Sequence, residues 1–453
     1  MAARVRPISG FPEFLPNGRI VEQRALAALH HTFELHGFGE IETRAVEPLS
    51  VLLRKGEIDK EVYAVRRLHA EPGRESSEED LALHFDLTVP FARYILENAG
   101  HLAFPFRRWQ AQKVWRGERP QDGRYREFRQ ADIDIVGQDS LAAHHEAEIA
   151  LVALEAYARL EAELGLPAVV LHVNNRKLSQ GFYEGLGIED TAAVLQRVDK
   201  YDKIGPTKVA ELLVTELGLS QSVADQCVAL AGIQASDSGF IDAVRALGVT
   251  SELLDAGLAE LSTLVDTVTT QGLSGRILAD LKIARGLDYY TGTVYETELL
   301  GHSKLGSVGS GGRYDQLASD GKRTFPGVGF SFGISRLLVP LINRDEIRAS
   351  RDVPTCVLVA VTSDEARADS LATARELRAR GISAEVAPSA DKFGKQIKYA
   401  DRRGIPFVWF PQGADSGEVK DLRSGDQVQA SATTWTPPAE DLRPSIIGPG
   451  QTS

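Results

Sequence analysis

Residues 285–292 read Arg-Gly-Leu-Asp-Tyr-Tyr-Thr-Gly, an octamer dense in groups that bind small polar molecules. Arg285 is a permanent cation suited to a phosphate or a carboxylate. Tyr289 and Tyr290 each offer an aromatic face and a hydroxyl donor. Gly286 and Gly292 let backbone approach a ligand closely. A second run, 107–129, holds eight Arg or Lys against three acids, with Trp109, Trp115, Tyr125 and Phe128 alternating among the cations. A third, 392–403, holds Lys392, Lys395, Lys398, Arg402 and Arg403 against Asp401. A solvated face would account for the third run alone; the interleaved aromatics of the second make that account harder.

These groups must be carried by a chain too long for one core, since 453 residues correspond to about two to four domains. Charged residues are 25% and hydrophobic residues 43%, as in ordinary soluble globular proteins. No apolar run approaches the roughly 18 residues of a membrane span, and the opening Met-Ala-Ala-Arg-Val-Arg-Pro lacks a secretory signal's apolar stretch. Cys227 and Cys356 are the only cysteines, which suits a reducing cytoplasm and excludes a disulfide framework or a cysteine zinc site. The net charge of −12 weighs mildly against nucleic acid, but binding depends on local fields rather than on the sum.

Periodicity places the elements. The spacing predicts a helix over 19–36 with Leu26, Leu29 and Phe33 on one face, ended by Gly37 and followed by an extended segment to Pro48. An exposed loop is expected over 71–80. Two extended runs within 104–137, joined at 120–123, read as a hairpin. A helix over 141–164 and a strand over 168–173 follow, then short amphipathic helices from 175 to 275. Strand character returns at 281–299, a Gly-rich stretch covers 306–312, and 327–333 leads into a helix at 334–343. The polar stretch 343–354 reads as a linker. Strand and helix then alternate (357–361, 364–380, 382–387, 391–403, 407–410), which implies a parallel sheet. Residues 434–453, rich in Pro, Gly and Ser, read as disordered.

Five segments carry a resemblance by content and order. They are Phe85-Asp86-Leu87-Thr88-Val89-Pro90; Trp115-Arg116-Gly117-Glu118-Arg119-Pro120, running through Gly123-Arg124-Tyr125-Arg126-Glu127-Phe128-Arg129-Gln130 to Asp132 and Asp134; the octamer; Gly309-Ser310-Gly311-Gly312-Arg313-Tyr314-Asp315; and Gly327-Val328-Gly329-Phe330-Ser331-Phe332-Gly333, ending in Arg336. They resemble the Thr-loop, class II motif two, histidine-A, histidine-B and class II motif three of the histidyl-tRNA synthetase family. The 19–48 segment resembles motif one, the dimer interface of that class, and 357–431 resembles the family's anticodon-binding domain.

The resemblance implies an α+β fold: a class II antiparallel-sheet catalytic core with a helical insertion, plus a C-terminal α/β anticodon-binding domain. The corresponding boundaries are 1–174 and 276–345 for the core, 175–275 for the insertion, 353–433 for the anticodon domain and 434–453 for the tail. It implies ATP-dependent ligation of L-histidine to tRNA(His) through histidyl-adenylate, in a cytoplasmic homodimer. Activation brings a carboxylate against the α-phosphate of ATP, anion against anion, so catalysis is mostly charge neutralisation and alignment. Arg116 and Arg285 would hold the α-phosphate and the histidine carboxylate, and Arg124 and Arg336 the outer phosphates and adenine face. Glu118 would meet the adenine amino group and Phe128 stack on the ring. Mg²⁺ would accompany ATP, bridging its phosphates, with no dedicated protein ligands and no tightly bound organic cofactor.

For the amino acid, the Asp86-Leu87-Thr88 segment and Gln130 would supply acceptors to the α-ammonium. Asp134, Tyr289 and Tyr290 would serve the imidazole nitrogens, since Gln130 and Asp134 are an even number apart on one strand and share a face. Gly309–Gly312 would form the floor where the imidazole sits. Such a pocket rejects isosteres by roughly 10⁴–10⁵, so no editing domain is expected. Asp86 and Asp134 stand where some members carry glutamate, and Ser335 where class II enzymes often do. The nearest alternative is the regulatory subunit of ATP phosphoribosyltransferase, which shares a synthetase-like core without an anticodon domain; a tRNA-binding scaffold that has lost catalysis is a third.

Overall fold

Alternation along the arginine-rich hairpin sets the architecture. The computed structural model describes residues 6–53, 61–67, 80–284 and 289–448; Arg285 and the expected loop at 71–79 therefore lie outside the described residues. The chain divides into two compact units, one comprising residues up to 12 with 26–162 and 167–340, the other 13–25, 163–166 and 341 onward.

In the first unit the strands are β1 (Gly39–Glu40), β2 (Val46–Pro48), β3 (Ala64–Val65), β4 (Leu81–Leu83), β5 (Phe106–Trp115), β6 (Glu127–Val136), β7 (Val169–Asn175), β8 (Gln234–Ala235), β9 (Ile277–Asp280), β10 (Thr293–Leu299), β11 (Gly309–Tyr314) and β12 (Gly327–Phe332). Nine of them form one sheet in the order β1-β5-β6-β12-β11-β10-β7-β9-β8, and β2-β4-β3 form a small second sheet. From β5 through to β7 every neighbour is antiparallel.

Successive side chains point to opposite faces, so β6 sends Ala131, Ile133 and Ile135 one way and Gln130, Asp132 and Asp134 the other. The register sets Ile133 beside Phe330 and Trp109, and Asp134 beside Gly329 and Arg108. The apolar face is covered by two helices. Tyr157, on the helix His144–Leu164, meets Phe330 and Phe332. Phe33, on the helix Pro16–Leu35, meets Trp109 and Phe332. Burial of these rings is the main stabilising term, and it leaves the polar face free to line a site.

Leu29 and Phe33 are buried and Leu26 is half-buried, so the apolar face of that helix is already satisfied within the chain. Phe33 on that face packs against Trp109 of β5 and Phe332 of β12. The 175–275 stretch is helical as expected, from Arg176–Gly185 to Glu252–Val268. Asn175, Asp190, Ser220 and Ser251 accept backbone N–H groups at four helix starts, the capping that such residues favour.

The second unit contains β13 (Arg348–Ala349), β14 (Val357–Val359), β15 (Ala384–Val386), β16 (Phe407–Pro411), β17 (Ser416–Asp421), β18 (Gln427–Ser431) and β19 (Ile446–Ile447). β15, β14 and β16 are parallel, with the helices Arg367–Ala379 and Phe393–Arg402 between them in sequence. β17 and β18 extend that sheet as an antiparallel hairpin that the sequence reading did not anticipate. The expected disorder from 434 is corrected up to 448. Arg423 grips the Asp441 carboxylate with two bonds of 2.7 and 2.8 Å, Trp435 packs edge-on against Phe407 and Trp409, and β19 pairs with β13. A few specific contacts outweigh the chain entropy that composition alone suggests.

Candidate active site

The hairpin β5–β6 carries the cations to the edge of the polar face. Arg116 follows β5 directly, and its backbone N–H bonds the carbonyl of Arg126 (2.9 Å), closing the hairpin. Its Nε donates to the carbonyl of Phe85 (3.0 Å), and its guanidinium lies 5.1 Å from the centre of the Phe128 ring. Glu118 sits between two cations, 3.7 Å from Arg116 and 3.5 Å from Arg124. At the tip, Gly123 adopts a left-handed conformation (φ 73°), which frees its carbonyl to accept from Arg336 Nε at 2.9 Å. Arg336 Nη1 donates to the Ser307 carbonyl at 2.7 Å. One cleft is thus lined by Arg116, Glu118, Arg124, Phe128, Gln130 and Arg336 together with Ser307, Gly309, Ser310 and Ser331. Cations, a ring and an acid around a slot suit a planar base joined to phosphates.

Ser335, at the start of the helix Ile334–Asn343, accepts the backbone N–H of Arg129 (2.9 Å). Where a glutamate was the expected residue, serine pins that helix to β6.

Behind the cleft lies a second polar group on the same face. Asp86 is buried and accepts the Val89 N–H (3.1 Å), capping the helix Thr88–Asn98 with Leu87 buried beneath. Thr88 is half-buried at that helix's first position. The Tyr289 and Tyr290 rings lie with centroids 4.1 Å apart, tilted by 45°. Burial raises the Tyr289 pKa, with a hydrogen bond to Tyr290 opposing and with Asp86, Arg116 and Asp132 among the charges acting on it. Tyr289 therefore remains a neutral donor. Thr291 follows, its N–H on the Arg313 carbonyl (2.9 Å) and its hydroxyl donating to Asp315 (2.5 Å).

Asp134 has two close neighbours on this face. Arg108, fully buried and over the Phe91 ring at 4.2 Å, places Nη2 at 2.6 Å from Asp134 Oδ2, and the Tyr314 hydroxyl donates to Oδ1 at 2.7 Å. A β-carbon on Gly329 would stand 2.0 Å from Asp134 Oδ1, and one on Gly312 would stand 2.8 Å from the Tyr290 ring. At these two positions glycine leaves room for the protein's own Asp134 and Tyr290. Sequence reasoning missed Arg108, Asp132, Tyr314 and Ser331 as members of the polar face, although their parity on paired strands was a usable signal.

Asp132 lies between Gln130 and Asp134. Burial pushes its carboxyl up to about 7, Arg108 and a hydrogen bond from Ser331 opposing and Asp134 and Asp86 reinforcing. Ser331 also accepts from Gln130 Nε2 (2.7 Å).

The comparisons agree with this geometry. The family model described as histidyl-tRNA synthetase matches residues 10–337, and that of an anticodon binding domain matches 355–431. A histidine–tRNA ligase of Cutibacterium acnes is 64% identical, covering 98% of this chain and 99% of its own. That of Micrococcus luteus is 58% identical with the same coverage. The solved histidyl-tRNA synthetase of Nostoc sp. PCC 7120 superimposes with a TM-score of 0.82 at 34% identity, over 95% of this chain and 97% of that one.

Proposed function

The chain belongs to the histidyl-tRNA synthetase family and joins L-histidine to tRNA(His) through histidyl-adenylate at the expense of ATP; from that premise we propose how its residues divide the work. The observation that carries the proposal is the single cleft gathering Arg116, Glu118, Arg124, Phe128, Gln130 and Arg336.

Arg116 sits where the two anions must meet. Its guanidinium neutralises the α-phosphate as the histidine carboxylate approaches, a task that Arg285 shares. Adenine displaces the Arg116 guanidinium from Phe128 and stacks there, its amino group on Glu118. Arg124 and Arg336 take the outer phosphates, and Mg²⁺ would accompany ATP and offset phosphate charge there. The α-ammonium is received by Asp86, Thr88 and Gln130, and Tyr289 and Tyr290 face the imidazole. Attack of the carboxylate on the α-phosphate expels pyrophosphate and leaves histidyl-adenylate; the terminal ribose hydroxyl of tRNA then attacks the acyl carbon, releasing AMP.

For the macromolecular partner, the Arg119–Arg124 tip meets the acceptor end and the 392–403 helix the anticodon. A symmetric dimer rests on the motif-one resemblance of the 19–48 segment. Among the described residues no helix is long and apolar enough to cross a membrane, and the cytoplasm is the compartment that holds tRNA and suits two free cysteines. The test is a charging assay of the purified protein with each of the twenty amino acids and total tRNA. Charging with histidine alone is expected; charging with another amino acid, or with none, overturns the assignment.

A further inference from the structure

We propose that Glu146, on the helix His144–Leu164 and outside all five segments, is a positioning residue that holds the Tyr290 end of the octamer against β11 through Arg313. This rests on histidine being the amino acid activated and on Tyr290 facing its imidazole, and it names what keeps that ring in place.

Three observations carry it. First, Glu146 and Arg313 are both drawn out of water, their side chains 4% and 13% exposed, and Arg313 Nη1 donates to Glu146 Oε1 at 3.0 Å. Removing one member of such a pair leaves the other as an uncompensated charge. Second, the bonds around this pair close on the octamer from both sides of Gly292. Glu146 Oε2 accepts the backbone N–H of Thr293 (3.1 Å). Arg313 Nε donates to Asp315 Oδ1 (3.0 Å), and Asp315 Oδ2 accepts the Thr291 hydroxyl (2.5 Å). The Thr291 N–H bonds the Arg313 carbonyl (2.9 Å). Third, a β-carbon on Gly292 would stand 2.9 Å from Arg313 Cδ and 3.5 Å from Glu146 Oε2. The octamer ends in glycine because the arginine stem crosses there.

The clamp is itself anchored. The Tyr295 hydroxyl donates to the Glu146 carbonyl (2.8 Å), and Arg313 Nη2 donates to the Leu141 carbonyl (2.9 Å). Tyr290 precedes the clamp by one residue, and its ring lies where a β-carbon on Gly312 would come within 2.8 Å. A ring seated on bare backbone takes its place from how firmly 291–293 and 312–315 are held together. Loosening that join moves the ring and weakens histidine. Gly309 and Ser310, which line the nucleotide cleft, lie at the other end of β11 and pair with Phe332 and Ser331, so ATP is spared.

Glu146→Gln keeps the shape and an acceptor for the Thr293 N–H but removes the charge that holds Arg313. In histidine-dependent pyrophosphate exchange we expect the KM for histidine to rise roughly 10-fold, the scale of a lost charged hydrogen bond, with the KM for ATP within about twofold. Arg313→Met should do the same, and the double variant should be no worse than either single one, because both break one link. An unchanged histidine constant, matching rises in both constants, or additive losses in the double variant overturn the proposal.

A milder variant decides the matter should these fail to fold. Thr291→Val removes one hydroxyl at a half-buried position and leaves the ion pair intact. We expect the KM for histidine alone to rise by roughly threefold or more, the scale of a neutral hydrogen bond; no change overturns the proposal. Exchange by the wild type, run alongside, keeps a failure here distinct from a failure of the underlying activity.

Discussion

At the scale of single residues, the recurring theme is a shared carboxylate or serine whose partners decide its role. Asp132 and Asp134 are chemically identical and two positions apart, yet Arg108 and Tyr314 hold one closely while the other accepts from a serine hydroxyl and lies 4.0 Å from Arg108. Burial holds the Asp132 carboxyl at about 7 against an ordinary 3.8. A carboxyl whose folded pKa is raised contributes stability below its unfolded pKa that is lost as pH rises through the folded value. A carboxamide at this position cannot titrate, so the Asp132→Asn variant should gain on the wild type between about pH 5 and pH 8. Urea unfolding at the two pH values measures it, and a difference that stays constant would count against the burial of a charge here. Much of this face was legible beforehand. Gln130, Asp134, Arg116, Glu118, Arg124, Phe128 and Arg336 could be named from motif and parity. What the sequence withheld was who pairs with whom, because Tyr314 and Ser331 reach β6 only through the order in which distant strands assemble.

At the scale of elements, the two faces of the β5–β6–β12 sheet divide stability from chemistry, and glycine keeps the strands close enough for both. Gly329 stands beside Asp134 with no space for a methyl group. Gly329→Ala should therefore displace the carboxylate from Arg108 and cost roughly 1–3 kcal/mol, the usual penalty for overpacking a tight interior. A thermal melt reads it directly, and an unchanged midpoint would mean that Asp134 yields freely. The hairpin, the insertion helices and the parallel strands of the second unit were readable from period and turn residues. β17 and β18 were not. Their sequences, Ser-Gly-Glu-Val-Lys-Asp and Gln-Val-Gln-Ala-Ser, carry few apolar residues, and β18, on the rim of the sheet, needs little of the alternation that announces a buried strand.

At the scale of the whole molecule, the chain's last segment is part of the second unit rather than an appendage. Arg423 with Asp441, Arg351 with the Asp441 carbonyl (2.8 Å), and Trp435 with Trp409 tie it down. Ending the chain at residue 433 should lower the melting transition of that unit by roughly 4 °C or more, the shift for about 1 kcal/mol in a domain of this size; calorimetry on the full and shortened chains checks it. Composition misled here because Pro, Gly and Ser mark a segment with few contacts on average, while a handful of arginine and tryptophan contacts suffices to order it. The central claim is that fixed guanidinium groups let two anions react. Histidine-dependent exchange of labelled pyrophosphate into ATP, compared between the wild type and Arg116→Ala, tests it most directly. We expect vigorous exchange by the wild type and a loss of roughly 10²-fold or more in the variant, as when a charge stabiliser is removed from a reaction centre. Exchange by a folded Arg116→Ala protein at the wild-type rate would contradict it.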